Sequence, residues 1–126
     1  MSVVTIMEEN RREQIEALEV LLDFNVRLLK NIPIVVKELT GERLDDTDNF
    51  IKGIIEAMNW EIQVMNGTMD LLNEGEMRID KDGFNEKIVA LGKAYADKQD
   101  KELAEAFEAV LPYFERLGQA VAEVIH

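Results

Sequence analysis

Apolar residues recur in alternating steps of three and four along most of the chain, and this period constrains the fold more than any other feature. In the first third the series is Ile15, Leu18, Leu22, Leu29, Ile32, Val36 and Leu39, with Asn25 at its one polar position. A second row widens this stripe at Leu21, Leu28 and Val35. The spacing predicts one long helix from about Met7 to Thr40, closed by Gly41.

Three further segments show the same period. A second helix is predicted from Asp46 or Thr47 to Gly75, a short third helix from Phe84 to Ala96 and a last helix from about Leu103 to the chain end. The predicted seam of the second helix is Ile51, Ile55, Met58, Ile62, Met65, Met69 and Leu72. Phe84, Ile88, Leu91 and Tyr95 form the third seam, and the last is Leu103, Phe107, Val110, Phe114, Leu117, Val121 and Val124.

Two prolines fall inside predicted helices, Pro33 in the first and Pro112 in the last. The apolar phase is the same on both sides of each proline, which favours a kink over a break, although two breaks would raise the helix count. Short polar links join amphipathic helices that lie antiparallel to each other. We therefore expect residues 1–126 to form a single all-α domain, an up-and-down antiparallel four-helix bundle with a short third helix and proline kinks.

The formal net charge is −12, from 14 basic and 26 acidic residues. The electric field of this negative charge repels nucleic acid and anionic lipid and attracts basic partners. The alternative is that the charge only keeps the protein soluble. No apolar run is long enough for a membrane span, and residues 1–9 lack the pattern of a signal peptide. We expect no nucleic-acid or membrane partner and a cytoplasmic location, which the absence of cysteine also fits.

Few residues of the chain can carry chemistry. The chain has no cysteine and a single histidine, His126, to which we assign no role. The segment Asp80–Gly83 begins like a calcium loop, but Leu91 stands where a bidentate glutamate is required, so a turn and helix cap are expected. We predict no catalytic residues, no metal site and no cofactor.

One enzyme alternative stays open. Some all-α nucleotide pyrophosphohydrolases bind Mg²⁺ through Glu-x-x-Glu and Glu-x-x-Asp, and the chain resembles them at Glu13–Glu16 and Glu42–Asp45. Both motifs are short and lie in acidic surroundings. The alternative function is therefore an Mg-dependent enzyme of this kind, or a bundle that binds a small ligand between its helices.

Trp60 departs most from a self-contained amphipathic helix, because it lies away from the predicted seam. Small or apolar neighbours surround it on one strip, which consists of Gly53, Ala57, Trp60, Val64 and Gly67. Either the chain's own helices cover this strip or a partner does. We expect Trp60 to be covered substantially only when a second chain is present.

In architecture the chain resembles small acidic helical adaptors and secretion chaperones, which grip a partner helix. The sequence thus favours a non-catalytic protein–protein interaction module that presents an acidic helical surface. Its partner would be another protein, or a second copy bound through helix faces.

Overall fold

The computed structural model describes the backbone of residues 3–125 and the side chains of residues 8–125, so His126 lies outside the described residues. Within this part the chain is helical and contains no strand, which confirms the all-α prediction. The helices are α1 (Val3–Thr40), α2 (Thr47–Gly67), α3 (Met69–Leu72), α4 (Lys81–Ala96) and α5 (Asp100–Ile125). In the part described, none of them is long and apolar enough to cross a membrane.

The long helices α1 and α5 lie at the centre of the molecule. They pack against each other, and α2 packs on α1 while α4 packs on α5. Both helices continue through their prolines, Pro33 in α1 and Pro112 in α5, so neither proline breaks its helix. The predicted kinks stay predictions. α1 ends at Thr40 as expected, where the Gly41 amide donates to the Lys37 carbonyl at 2.9 Å.

The second helix is shorter than predicted, because it ends at Gly67 and not at Gly75. The Thr68 hydroxyl donates to the Val64 carbonyl at 2.7 Å, and the Thr68 amide bonds to the Met65 carbonyl, three residues back, at 3.1 Å. A side chain that occupies the carbonyl four residues back competes with the regular helix. The chain therefore turns at Thr68 and resumes as the separate four-residue helix α3.

The buried rows of α1 and α2 share every other position with the predicted seams and differ from them by one residue at the positions between, which in α1 are those of the predicted second row. In α1 the buried row is Leu18, Leu21, Asn25, Leu28, Ile32, Val35 and Leu39. The row that runs along α2 and on through the turn at Thr68 into α3 is Ile51, Ile54, Met58, Glu61, Met65, Thr68 and Leu72. Both rows keep the alternating steps of three and four, but Leu22, Leu29 and Ile62 are only partly buried. Each row buries a polar residue near its middle.

The seam of α5 is as predicted from Leu103 to Val121, and Val124 packs at its edge. In α4, Phe84 and Leu91 are buried, but Tyr95 is 42% exposed and Ala94 is buried in its place. The prediction for Tyr95 was wrong, because the buried face of α4 ends on Leu91 and Ala94 and leaves Tyr95 outside it.

Polar side chains shape the connection between α3 and α4. The Asn73 side-chain oxygen accepts from the amides of Arg78 and Ile79, each at 2.9 Å. Gly75 has a positive φ of 81°, a conformation that glycine adopts without strain. Asp80 caps α4 by accepting from the Gly83 amide at 3.1 Å, so this aspartate serves as the expected helix cap.

Candidate functional site

The structure separates the predicted strip on α2 into covered and open positions. Ala57 and Val64 are partly buried and pack against the core, whereas Gly53 and Gly67 are exposed. Trp60 lies between them with 36% of its surface exposed. The end of the strip at Gly67 also lies near α1, because the Gln14 side chain donates to the Gly67 carbonyl at 3.4 Å.

Trp60 forms an aromatic pair with Phe24 of α1. The ring centroids are 5.1 Å apart and the ring planes are tilted by 52°. Phe24 is itself 43% exposed, and the Arg27 guanidinium lies over its ring at 5.6 Å from the centroid. The expectation that only a second chain covers Trp60 was therefore too strong, since α1 already covers part of the indole.

A groove between α1 and α2 begins at this aromatic pair and has a volume of about 300 Å³. Its lining residues are Phe24, Arg27, Leu28, Asn31, Asn49, Phe50, Gly53, Ile54 and Ala57. A Cβ atom placed on Gly53 would meet no atom within 4 Å, so the wall of the groove at this position faces open space. Gly53 and Ala57 thus line a groove whose edge is formed by the Phe24–Trp60 pair, and we refer to it as the aromatic groove.

Phe24 is the residue of this surface that the sequence did not reveal. Phe24 lies outside both apolar rows of α1. A large apolar residue at such a position is expected to be exposed, and this was the signal that could have identified it. Its pairing with Trp60 joins two positions that are far apart in the chain. Helical periodicity within one segment carries no information on such a pair.

The residues that follow the two aromatic residues in the sequence, Asn25 and Glu61, belong to a buried polar cluster that joins three helices. Asn25 of α1 donates its side-chain amide to Glu61 Oε1 of α2 and to the Phe114 carbonyl of α5, both at 3.0 Å. Glu61 is 0% exposed and Asn25 2% exposed. Gly118 of α5 leaves room for Asn25, because a Cβ atom at Gly118 would collide with the Asn25 side-chain oxygen.

The Glu61 carboxyl has an unusual electrostatic setting. Burial raises its pKa to about 7, and the hydrogen bond from Asn25 opposes this rise only in part. Among the described residues, Glu61 Oε2 has no hydrogen-bond partner. Sequence reasoning missed this group, although Glu61 stands midway in the regular series from Ile54 and Met58 to Met65.

The acidic motifs of the enzyme alternative lie far apart. Glu13 and Glu16 are exposed on the first half of α1, whereas Glu42 and Asp45 are exposed in the connection that follows Thr40. From Glu16 to Thr40 the helix rises roughly 36 Å at 1.5 Å per residue, a separation that one metal ion does not bridge. Within residues 8–125 no cluster of three or more acidic, histidine or cysteine side chains is arranged to hold a metal ion.

Comparison with protein-family models gives a match over most of the chain. Residues 16–120 match the family described as a domain of unknown function, DUF8042. The chain belongs to this family. The match contains the residues that line the aromatic groove and the residues of the Glu61 cluster, so both features lie within the DUF8042 domain. No curated protein and no solved structure matches the sequence.

Proposed function

We propose that this protein is a non-catalytic interaction module, of the adaptor or chaperone kind, that binds a helix of another protein in the aromatic groove. The observation that carries the proposal is the exposed Phe24–Trp60 pair at the edge of a groove that is open at Gly53. Tryptophan is enriched among the residues that dominate binding energy at protein interfaces.

Gly53 provides a second line of support. A glycine inside a helix costs roughly 0.5–1 kcal/mol relative to alanine. Gly53 lies within α2, and the protein's own atoms leave the space around it empty, so intramolecular packing supplies no reason for this cost. A helix that lies across the groove would use the missing side chain for close approach.

Charge favours a different protein over a second copy as the occupant. Two copies that each carry a net charge of −12 repel one another, whereas a partner of net positive charge is attracted and steered. Arg27 is the one charged residue in the groove lining, so the groove itself suits an apolar helix face. We infer a partner helix with an apolar face, carried by a protein of net positive charge.

The finer architecture belongs to the same proposal. We infer that α1, α2, α4 and α5 form an up-and-down antiparallel bundle that works in the cytoplasm. The packing of α2 on α1, α1 on α5 and α5 on α4, together with the short connection between α4 and α5, supports this arrangement.

The test compares capture of native proteins by wild type, two groove variants and a control. Phe24→Ala removes half of the aromatic pair, and Gly53→Leu fills the groove. Val89→Ala removes an apolar side chain from α4, where Val89 is 71% exposed and lies outside the groove lining. A genuine partner is retained by wild type and by Val89→Ala, and is lost from both groove variants.

A synthetic peptide with the sequence of the captured protein's amphipathic helix is then titrated into the wild-type protein. Trp60 is the only tryptophan, so a blue shift of its emission during titration reports occupation of the groove. Capture that both groove variants retain would refute the proposal. Concentration-dependent dimerisation that Gly53→Leu abolishes would assign the groove to a second copy. Stabilisation by Mg²⁺ with a nucleotide in a thermal-shift assay would instead favour the enzyme alternative.

A further inference from the structure

Glu61 is a buried acid at the point where α1, α2 and α5 meet. Its carboxyl is fully buried, accepts one hydrogen bond from Asn25 at 3.0 Å, and has an unpartnered oxygen within the described part of the chain. A buried charge without a counter-ion is among the most costly features in a protein core. The geometry is therefore suited to a neutral carboxyl and unsuited to a carboxylate.

Among the side chains of residues 8–125, no cation pairs with Glu61. The positions that precede and follow the cluster in the buried rows are apolar: Leu21 and Leu28 flank Asn25 on α1, and Met58 and Met65 flank Glu61 on α2. The charged residues nearest in sequence to the cluster are all exposed, and they are Asp23 and Arg27 on α1, Glu56 on α2, and Glu115 and Arg116 on α5. Asn25 is thus the one polar side chain that holds the carboxyl.

We propose that Glu61 is a proton-controlled joint, whose neutral carboxyl keeps α2 packed on α1 and whose ionisation loosens this junction. Control of the joint extends to the aromatic groove, a step that rests on the proposed function. Asn25 follows Phe24 directly on α1, and Glu61 follows Trp60 directly on α2. The buried pair and the surface pair therefore move together when the two helices separate.

The direction of the effect follows from the two pKa values. Burial raises the pKa of Glu61 to about 7 in the closed junction, whereas an exposed glutamate has its ordinary value of 4.5. Between these values the closed state retains the proton and the open state releases it, so a higher pH favours opening. The opening constant rises about tenfold per pH unit in this interval and levels off above it.

Hydrogen exchange of the free protein measures this opening directly and needs no partner. The amides of α2 around Glu61 are followed from pH 5 to pH 8, and each rate is corrected for its intrinsic pH dependence. In the wild type the opening constant is expected to rise about fortyfold between pH 5 and 7, because the two pKa values flatten the rise at both ends of this interval. Glu61→Gln should abolish this rise, and Glu56→Gln, an exposed glutamate on the same helix, should retain it.

A direct titration keeps the proposal testable if Glu61→Gln does not fold. The ¹³C chemical shift of the Glu61 carboxyl in wild-type protein should titrate with a midpoint near 7. A midpoint near 4.5, or an opening constant that does not change with pH, would overturn the proposal. A pH-dependent joint together with a groove that binds no helix would contradict the proposed function and leave the joint standing.

Discussion

Replacement of Gly53 by alanine separates two effects of this glycine: the stability that it costs α2, and the close approach that it allows to a partner helix. Gly53 lies in the interior of α2, and a new Cβ atom would meet nothing within 4 Å. Alanine should therefore gain the full difference in helix preference, about 0.5–1 kcal/mol of unfolding free energy. For a domain of this size such a gain raises the melting temperature by roughly 2–5 °C.

Two other glycines provide matched comparisons. Gly92 lies inside α4 and is equally free of neighbours, so Gly92→Ala should give a similar gain. At Gly118 the added Cβ atom would displace Asn25 and break its bonds to Glu61 and the Phe114 carbonyl. Buried polar groups left without partners cost about 1–3 kcal/mol each, which exceeds the helix gain. Gly118→Ala should therefore lose about 2 kcal/mol or more.

Urea denaturation at fixed pH, followed by circular dichroism, measures all three variants. Gly53→Ala and Gly92→Ala should both unfold at higher urea than wild type, and Gly118→Ala at lower urea. Binding then distinguishes the two stabilised variants, because only Gly53→Ala should weaken binding of the partner helix. A destabilised Gly53→Ala would refute the reasoning, since it would mean that the protein's own side chains occupy the groove.

Three further predictions concern the core and α1. The unfolding free energy of the wild type should fall by about 3 kcal/mol between pH 4.5 and 7, because only the unfolded chain loses the Glu61 proton there; urea curves of Glu61→Gln should lack this component, and an identical fall would contradict the assignment. Met58→Asp should prevent folding, since Met58 is 1% exposed, while the partly buried Ile62 should tolerate aspartate better; equal solubility and helicity of both variants would contradict the observed phase. Pro33→Ala should raise the melting temperature, because Pro33 is exposed inside a continuous helix and alanine restores an amide donor; a loss of several kcal/mol would show that the proline is required.

Sequence periodicity was sufficient to predict the helical class and the buried seam of α5. It did not resolve the rotation of α1 and α2, because two adjacent apolar rows compete on each helix. Leu21 and Leu22 are equally apolar, and so are Ile54 and Ile55. Only contacts between helices decide which row is buried, and those contacts are invisible in the local pattern.

The candidate site was predictable only in part, for a related reason. Gly53, Ala57 and Trp60 share one helix, so their spacing places them on one strip. Phe24 joins that surface through a contact with a different helix. The turn at Thr68 depends on a hydrogen bond from its hydroxyl to the Val64 carbonyl. Helix propensity does not predict that a threonine within a regular apolar series ends the helix.

The buried pair of Asn25 and Glu61 accounts for the rotation of α2 that forms the groove. A row centred on Ile62 would bury more apolar surface, yet the structure buries Glu61 and leaves Ile62 partly exposed. Polar groups buried in facing helices are known to fix register at some cost in stability. Asn25 provides the amide that makes burial of Glu61 tolerable, and Gly118 provides the space for Asn25. Because consecutive helical residues are about 100° apart, a change of one residue in the buried row of α2 would turn Trp60 away from Phe24. The same pair that makes the core sensitive to protons thus also places the two aromatic rings side by side at the surface.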